Sequence, residues 1–169
     1  RAAYSSGTPA IGVGPGNVAV IVDETADVDD AAAKITRSKT FDNATSCSSE
    51  NSVIAVEAVA DALLAALERQ GGLRLDRTEA ATLRRAMFPD GKLSQAYVAQ
   101  DAATIVERAG LSRAALRDAR FLVVDETGVG RDHPFSREKL SPVLAFYREP
   151  DFAAARARAI ALLRHQGMA

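Results

Sequence analysis

Four short apolar runs, rich in β-branched residues, alternate with helix-spaced segments along this chain, and that alternation leaves few folds open. VAVIV (Val18 to Val22), SVIAVEA (Ser52 to Ala58), RFLVV (Arg120 to Val124) and SPVLAFY (Ser141 to Tyr147) have the length and composition of strands. Between them lie helical patterns. DETADVDD opens one that runs from about Val28 to Phe41, its acidic first turn suiting the positive end of the helix dipole, with Ala32, Ile35 and Lys39 spaced for one face. Val59 to Gly72 is amphipathic, with Leu63, Leu64 and Leu67 inward and Gly71–Gly72 as its cap. Asp76 to Phe88 follows, capped by Asp76 or Thr78, then a turn at FPDGK, a helix ending at Gly110, and a last helix over residues 151–166. The expected fold class is α/β: a three-layer domain with a mainly parallel sheet.

Composition narrows the function classes. A chain of 169 residues fits one globular domain. A net charge of −1 offers no basic surface for nucleic acid or an anionic membrane. With aromatics at 5% and no Trp, base-stacking or sugar-binding platforms are not expected. No apolar run approaches the roughly 20 residues that span a bilayer. A single cysteine, Cys47, cannot make an internal disulfide, and the expected compartment is a reducing cytoplasm.

Cys47 lies in SKTFDNATSCSSENSVIAV, Ser38 to Val56. A lone cysteine is commonly a small buried hydrophobe. Here Ser46 and Ser48 flank it in a polar loop between a helix and a strand, where backbone N–H groups can stabilise a thiolate. No histidine is near in sequence; His133 and His165 are far along the chain. GVGPGN (Gly12 to Asn17) is not a dinucleotide loop, because it precedes a strand where such a loop must follow one, and its spacing differs. The acidic group Asp23, Glu24, Asp27, Asp29 and Asp30 lacks calcium-loop spacing and reads as a solvated helix start. No His/Cys set has zinc spacing, and no metal is expected. His133 in RDHPF reads as a turn residue, and Glu138 as a carboxylate at the end of a loop.

Taken in order, GVGPGN, a strand, DETADVDDAAAKITRSKTFDNATSCSSENSV and EKLSPVLAFY closely resemble the CoA-acylating aldehyde dehydrogenases of the aldehyde dehydrogenase superfamily. The likeness covers nearly the whole chain, and the ATSCSSEN spelling is most similar to the sulfoacetaldehyde-acting branch. It implies that Cys47 is the nucleophile, forming a thioester that coenzyme A takes over. Glu138 falls where the superfamily's glutamate holds the nicotinamide ribose. The usual Glu-x-Phe-x-Pro reads Glu138-Lys139-Leu140-Ser141-Pro142 here, so the aromatic is replaced, and Pro142 completes the cofactor motif. Asn43, Thr45, Ser46 and Ser48 would form the substrate and oxyanion surroundings, with the Cys47 N–H supplying half of an oxyanion hole. Gly12, Gly14, Gly16 and Asn17 would form a turn near the active site. Hydrolytic relatives carry a glutamate in that turn; Ile11 to Asn17 has no carboxylate, which favours transfer to a thiol over attack by water.

The resemblance also implies NAD or NADP as cofactor, CoA as co-substrate, a short aliphatic aldehyde or sulfoacetaldehyde as substrate, and a homodimer or homotetramer. A sulfonate would want an arginine nearby, with Arg37 and Arg131 as candidates. The expected organisation is one nucleophile-bearing catalytic domain over residues 1–169, lacking the Rossmann-like cofactor domain, since neither RAAYSSG nor LLRHQGMA resembles a natural terminus. Such a piece would be inactive alone. The competing readings are a gamma-glutamyl phosphate reductase-like enzyme, whose cysteine segment carries a different motif, and a non-catalytic structural fragment.

Overall fold

The computed structural model of the chain describes residues 5–9 and 16–166. Five strands form one sheet: β1 (Ala19–Val22), β2 (Ser52–Val56), β3 (Gly72–Arg74), β4 (Phe121–Asp125) and β5 (Val143–Glu149). Among the described residues five α-helices accompany them: α1 (Val28–Thr40), α2 (Glu57–Arg69), α3 (Arg77–Met87), α4 (Ala102–Ala109) and α5 (Phe152–His165). The strand order is β1-β2-β5-β4-β3, and every pairing is parallel.

Parallel pairing explains why the strands are apolar at nearly every position. Each crossover lays helix on a face, so both faces are covered. Along β2, Val53 and Ala55 pack with Ala32 and Ile35 of α1 and Leu63 and Leu67 of α2, while Ile54 and Val56 pack with Leu83 and Met87 of α3, Ile105 of α4 and Leu162 of α5. The molecule therefore has three layers, with two helices on one face and three on the other.

Local signals set the helix ends. Asp27 caps α1 by accepting the Asp30 N–H. Asp76, and not Thr78, caps α3, with Glu79 completing a reciprocal capping box. Gly110 ends α4 in the left-handed conformation.

Two expectations are corrected. α2 begins at Glu57, so β2 stops two residues earlier than its apolar run suggests. Gly72 does not merely cap α2; it starts β3, a strand of three residues that alternation could not reveal. Only glycine fits there, because a β-carbon would lie 2.4 Å from Phe121 Cζ. Among the described residues no helix is long and apolar enough to cross a membrane.

Candidate active site

In a parallel sheet, every connection that enters a strand arrives at the same edge. Gly16 and Asn17 enter β1, the Cys47 loop enters β2, and Glu138 lies on the segment entering β5. These three strands are neighbours. The topology therefore gathers the three segments at the amino edge of the sheet, opposite to the carboxyl edge where open α/β sheets usually bind ligands.

Gly16 is the point of contact. A β-carbon built on it would lie 3.2 Å from the Cys47 carbonyl oxygen, 3.9 Å from Cys47 Cβ and 3.7 Å from Glu138 Oε1. The Gly16 N–H donates to the Glu138 carboxylate, and the Glu138 N–H donates to Gln166 Oε1 at 3.1 Å. Burial pushes the Glu138 carboxyl above the usual carboxylate range, opposed by the Gly16 hydrogen bond and by the charge of Lys139. Cys47 is exposed. The backbone and Cβ of the exposed Cys47 and the half-buried Glu138 carboxylate thus flank one glycine. Although the glycine turn carries no carboxylate of its own, the fold delivers one to it.

The nucleophile loop begins with an uncommon backbone. After α1, Asp42, Asn43 and Ala44 all have positive φ, at 47°, 49° and 57°. Successive left-handed residues without glycine are costly, least so for Asp and Asn. Side chains hold the turn. Thr45 Oγ1 shares its one hydrogen between the Asp42 carbonyl at 2.7 Å and the Asp42 carboxylate at 2.6 Å, and Asn43 Nδ2 donates to the Ala99 carbonyl at 3.2 Å. Ala99, itself left-handed, donates its N–H to the Leu140 carbonyl at 2.9 Å. Asn43 is thereby linked to the segment that carries Glu138. Ser46 and Ser48 share a hydrogen bond of 2.8 Å beside Cys47.

Behind this edge lies a layer of buried polar groups. Asn17 is buried and donates from Nδ2 to the carbonyls of Ser136 at 2.9 Å and Leu162 at 3.2 Å, tying the start of β1 to the β4–β5 connection and to α5. Asn51 donates its N–H to Val18 and accepts the Lys139 N–H on Oδ1 at 3.0 Å. Two lysines are fully buried. Lys39 Nζ donates to the Glu50 carbonyl at 2.9 Å; burial pulls its pKa down to about 7, with Glu50 opposing. Lys139 Nζ donates to the carbonyls of Phe135 at 2.7 Å, Arg137 at 2.9 Å and Asn51 at 3.0 Å. Burial and the charge of Lys39 pull Lys139 well down, while Glu126 and Glu138 oppose. Three carbonyl acceptors need three hydrogens, which only an ammonium has.

Placement differs among the other sequence candidates. Gly12 and Gly14 lie outside the described residues. Pro142 is buried just before β5, its carbonyl accepting the Leu122 N–H at 2.9 Å. Arg37, on α1, and Arg131, on the β4–β5 connection, are exposed, and no described hydrogen bond or ion pair links either to the Cys47 loop. His133 is more than a turn residue: its Nδ1 pairs with Glu126 at 2.6 Å. The acidic start of α1 is solvated, with Asp29 paired to Arg69 and Asp30 to Lys34. No group of metal-binding side chains is present among the described residues. Sequence reasoning missed Lys139, Asn51 and Glu50. The one available signal was Lys39, a lysine on the same helix face as Ala32 and Ile35.

No family model matches the chain. It is 54% identical over 167 residues to the sulfoacetaldehyde dehydrogenase (acylating) of Cupriavidus necator, spanning 99% of this chain and 34% of that protein. Among solved structures it resembles an acetylating aldehyde dehydrogenase from Geobacillus thermoglucosidasius, with a TM-score of 0.90 and 40% identity over 98% of this chain and 36% of that one. It also resembles a propionaldehyde dehydrogenase from Rhodopseudomonas palustris, solved with bound CoA and an acylated cysteine, with a TM-score of 0.79 and 29% identity over 95% of this chain and 36% of that one. The chain spans about a third of the length of these relatives.

Proposed function

We propose, from the premise that this chain is a homologue of the acylating aldehyde dehydrogenases over about a third of their length, that it carries the nucleophile of a nicotinamide-dependent enzyme converting an aldehyde to an acyl-CoA. Cys47 attacks the carbonyl carbon as thiolate. The tetrahedral adduct loses hydride and becomes a thioester on Cys47. The CoA thiolate then attacks that thioester, and Cys47 leaves as thiolate. When bound, NAD or NADP accepts the hydride.

One observation carries this reading: Cys47 and Glu138 flank Gly16 at the edge where β1, β2 and β5 begin. The half-buried Glu138 carboxylate suits the ribose hydroxyls of the nicotinamide end, and hydroxyl ligands would replace the hydrogen bond it now accepts from Gly16. The remainder of a dinucleotide would need a phosphate cradle, and GVGPGN does not have that pattern. The Cys47 N–H would serve as one oxyanion donor. Ser46 and Ser48 give the aldehyde tail polar neighbours, which with the Cupriavidus relative supports sulfoacetaldehyde as the first substrate to try.

The choice of acceptor rests on the turn. It has no carboxylate of its own, and the carboxylate beside it, Glu138, is the group this reading assigns to the ribose hydroxyls rather than to water. General-base help to water is worth about 10²–10⁴-fold, whereas a thiol ionises readily near neutral pH. The test uses the full-length protein containing this chain. Nicotinamide reduction is followed with acetaldehyde, propionaldehyde and sulfoacetaldehyde, each with and without CoA. Turnover that requires CoA is expected. Equal turnover without CoA would mean that Glu138 or another group activates water, and the acyl-transfer reading would fail.

A further inference from the structure

Lys139 is fully buried, yet it follows Glu138 directly on a segment bordering the site. Its three Nζ hydrogens are all used, and the recipients differ in origin. Phe135 and Arg137 belong to the connection that carries Glu138. Asn51 belongs to the segment leaving Cys47 for β2. The Lys139 backbone N–H adds a fourth bond, to Asn51 Oδ1 at 3.0 Å. Asn51 is itself fixed: its N–H goes to Val18, and its carbonyl also accepts the Ala145 N–H at 3.1 Å. The Lys139 side chain thus joins the entries to β2 and β5, and the Asn51 backbone carries the link on to β1. A buried ammonium with every hydrogen bonded holds geometry tightly, because breaking any of these bonds leaves charge unsatisfied.

We propose that Lys139 is a positioning residue, its ammonium clamping the Glu138 segment onto the strand that leaves Cys47 and so setting the distance between carboxylate and thiol across Gly16. The role rests on the functional reading above, in which Glu138 meets the nicotinamide ribose and Cys47 the aldehyde. Neighbouring lysine Lys39 has a different job: its single bond, to the Glu50 carbonyl, stays within the α1–β2 connection and does not reach Glu138. Lys139 touches neither substrate nor cofactor. It acts through Glu138, and this makes the idea testable.

The experiment is a double-mutant cycle in the full-length protein, using Lys139→Met, Glu138→Gln and the combination, with kcat and KM for the nicotinamide cofactor as readouts. Lys139→Met is expected to lower kcat/KM for the cofactor about tenfold, the scale on which small misplacement acts. In the Glu138→Gln background the same change is expected to cost less than about twofold, because the group being positioned is gone. A purely structural lysine would lower thermal stability and give the same loss of kcat/KM in both backgrounds, which overturns the proposal. Wild type without cofactor-dependent turnover would instead overturn the functional reading, and this role with it. Should Lys139→Met not fold, Lys139→Gln keeps two donors, and the same non-additivity is expected at smaller size. Hydrogen exchange on the wild type needs no variant. The amides of Lys139 and Gly16 should exchange at least roughly a hundredfold more slowly than open loop amides. Exchange at the open rate would show that no clamp exists.

Discussion

The two edges of the sheet solve opposite problems. At the amino edge, polar groups are buried: Asn17, Thr36, Lys39, Ser49, Asn51, Ser52, Ser136, Lys139 and Ser141 are the described polar residues that the fold hides, and they lie in the connections, the helix end and the first residue of β2 that meet there. At the carboxyl edge, charge is paired, in pairs that run from exposed (Arg74–Asp125) to part-buried (Arg158–Glu149). Arg74 chelates Asp125, Arg148 reaches Glu57 and Asp61, and Arg158 pairs with Glu149 while covering the Tyr147 ring. Exposed pairs contribute about 0–1 kcal/mol each. Buried polar groups are costly unless every bond is made. A chain places that cost where geometry must be held, so the location of polar burial marks the working edge even where the usual rule for α/β sheets points to the other one.

This contrast can be broken by substitution. The largest effect is expected at Cys47: Cys47→Ala in the full-length protein should lower CoA-dependent turnover by on the order of 10³-fold or more, with thermal stability unchanged because the side chain is exposed. Residual turnover within tenfold of wild type would remove Cys47 from the chemistry. Next comes Gly16→Ala. Its methyl would press on the Cys47 carbonyl and crowd Glu138, and kcat should fall about tenfold, measured by steady-state kinetics beside a melting curve.

The third test is thermodynamic. Lys39 has a folded-state pKa lowered to about 7 from 10.5. Between those values the unfolded chain holds a proton that the folded chain has released, so this group makes stability rise with pH from about 7 towards 10. Denaturant titrations at pH 7 and pH 9 should differ by about 1–2 kcal/mol in that direction, and Lys39→Met should lessen the slope, leaving the part that belongs to Lys139. A slope unchanged in the variant would show that Lys39 is not the titrating group. The smallest effect belongs to the carboxyl edge. Arg74→Met should change stability by less than about 1 kcal/mol and leave turnover unaltered. A loss comparable to that of Gly16→Ala would erase the distinction between the edges.

Much of the fold could be read from the chain because its strands are long and apolar enough to be seen alone. VAVIV, SVIAVEA, RFLVV and SPVLAFY each hold a strand, with ends shifted by one or two residues, and the helices between them appeared with small shifts at their ends. β3 escaped because three residues carry no period and its glycine resembles a helix cap. The candidate site was legible at its tip, Cys47 among hydroxyls and Glu138 before a strand. Its foundation was not. A lysine is normally read as solvated, and only burial reveals that Lys139 meets three carbonyls from two segments. The left-handed turn had a faint trace in Asp42–Asn43, the residue types that tolerate it best, but Ala44 had none.

Strand order has a consequence for how the molecule is made. Among the described strands β5 comes last in sequence but lies in the middle in space, inserted between β2 and β4. Until residues 143–149 emerge during synthesis, the chain can form only two separate strand pairs, β1–β2 and β3–β4. Their inner edges stay open, and closing the gap waits for contacts far apart in sequence. Cys47 is therefore synthesised about 90 residues before the carboxylate it is to face. The thiol stays bare while those residues are made, and the site is assembled only when β5 closes the gap between β2 and β4.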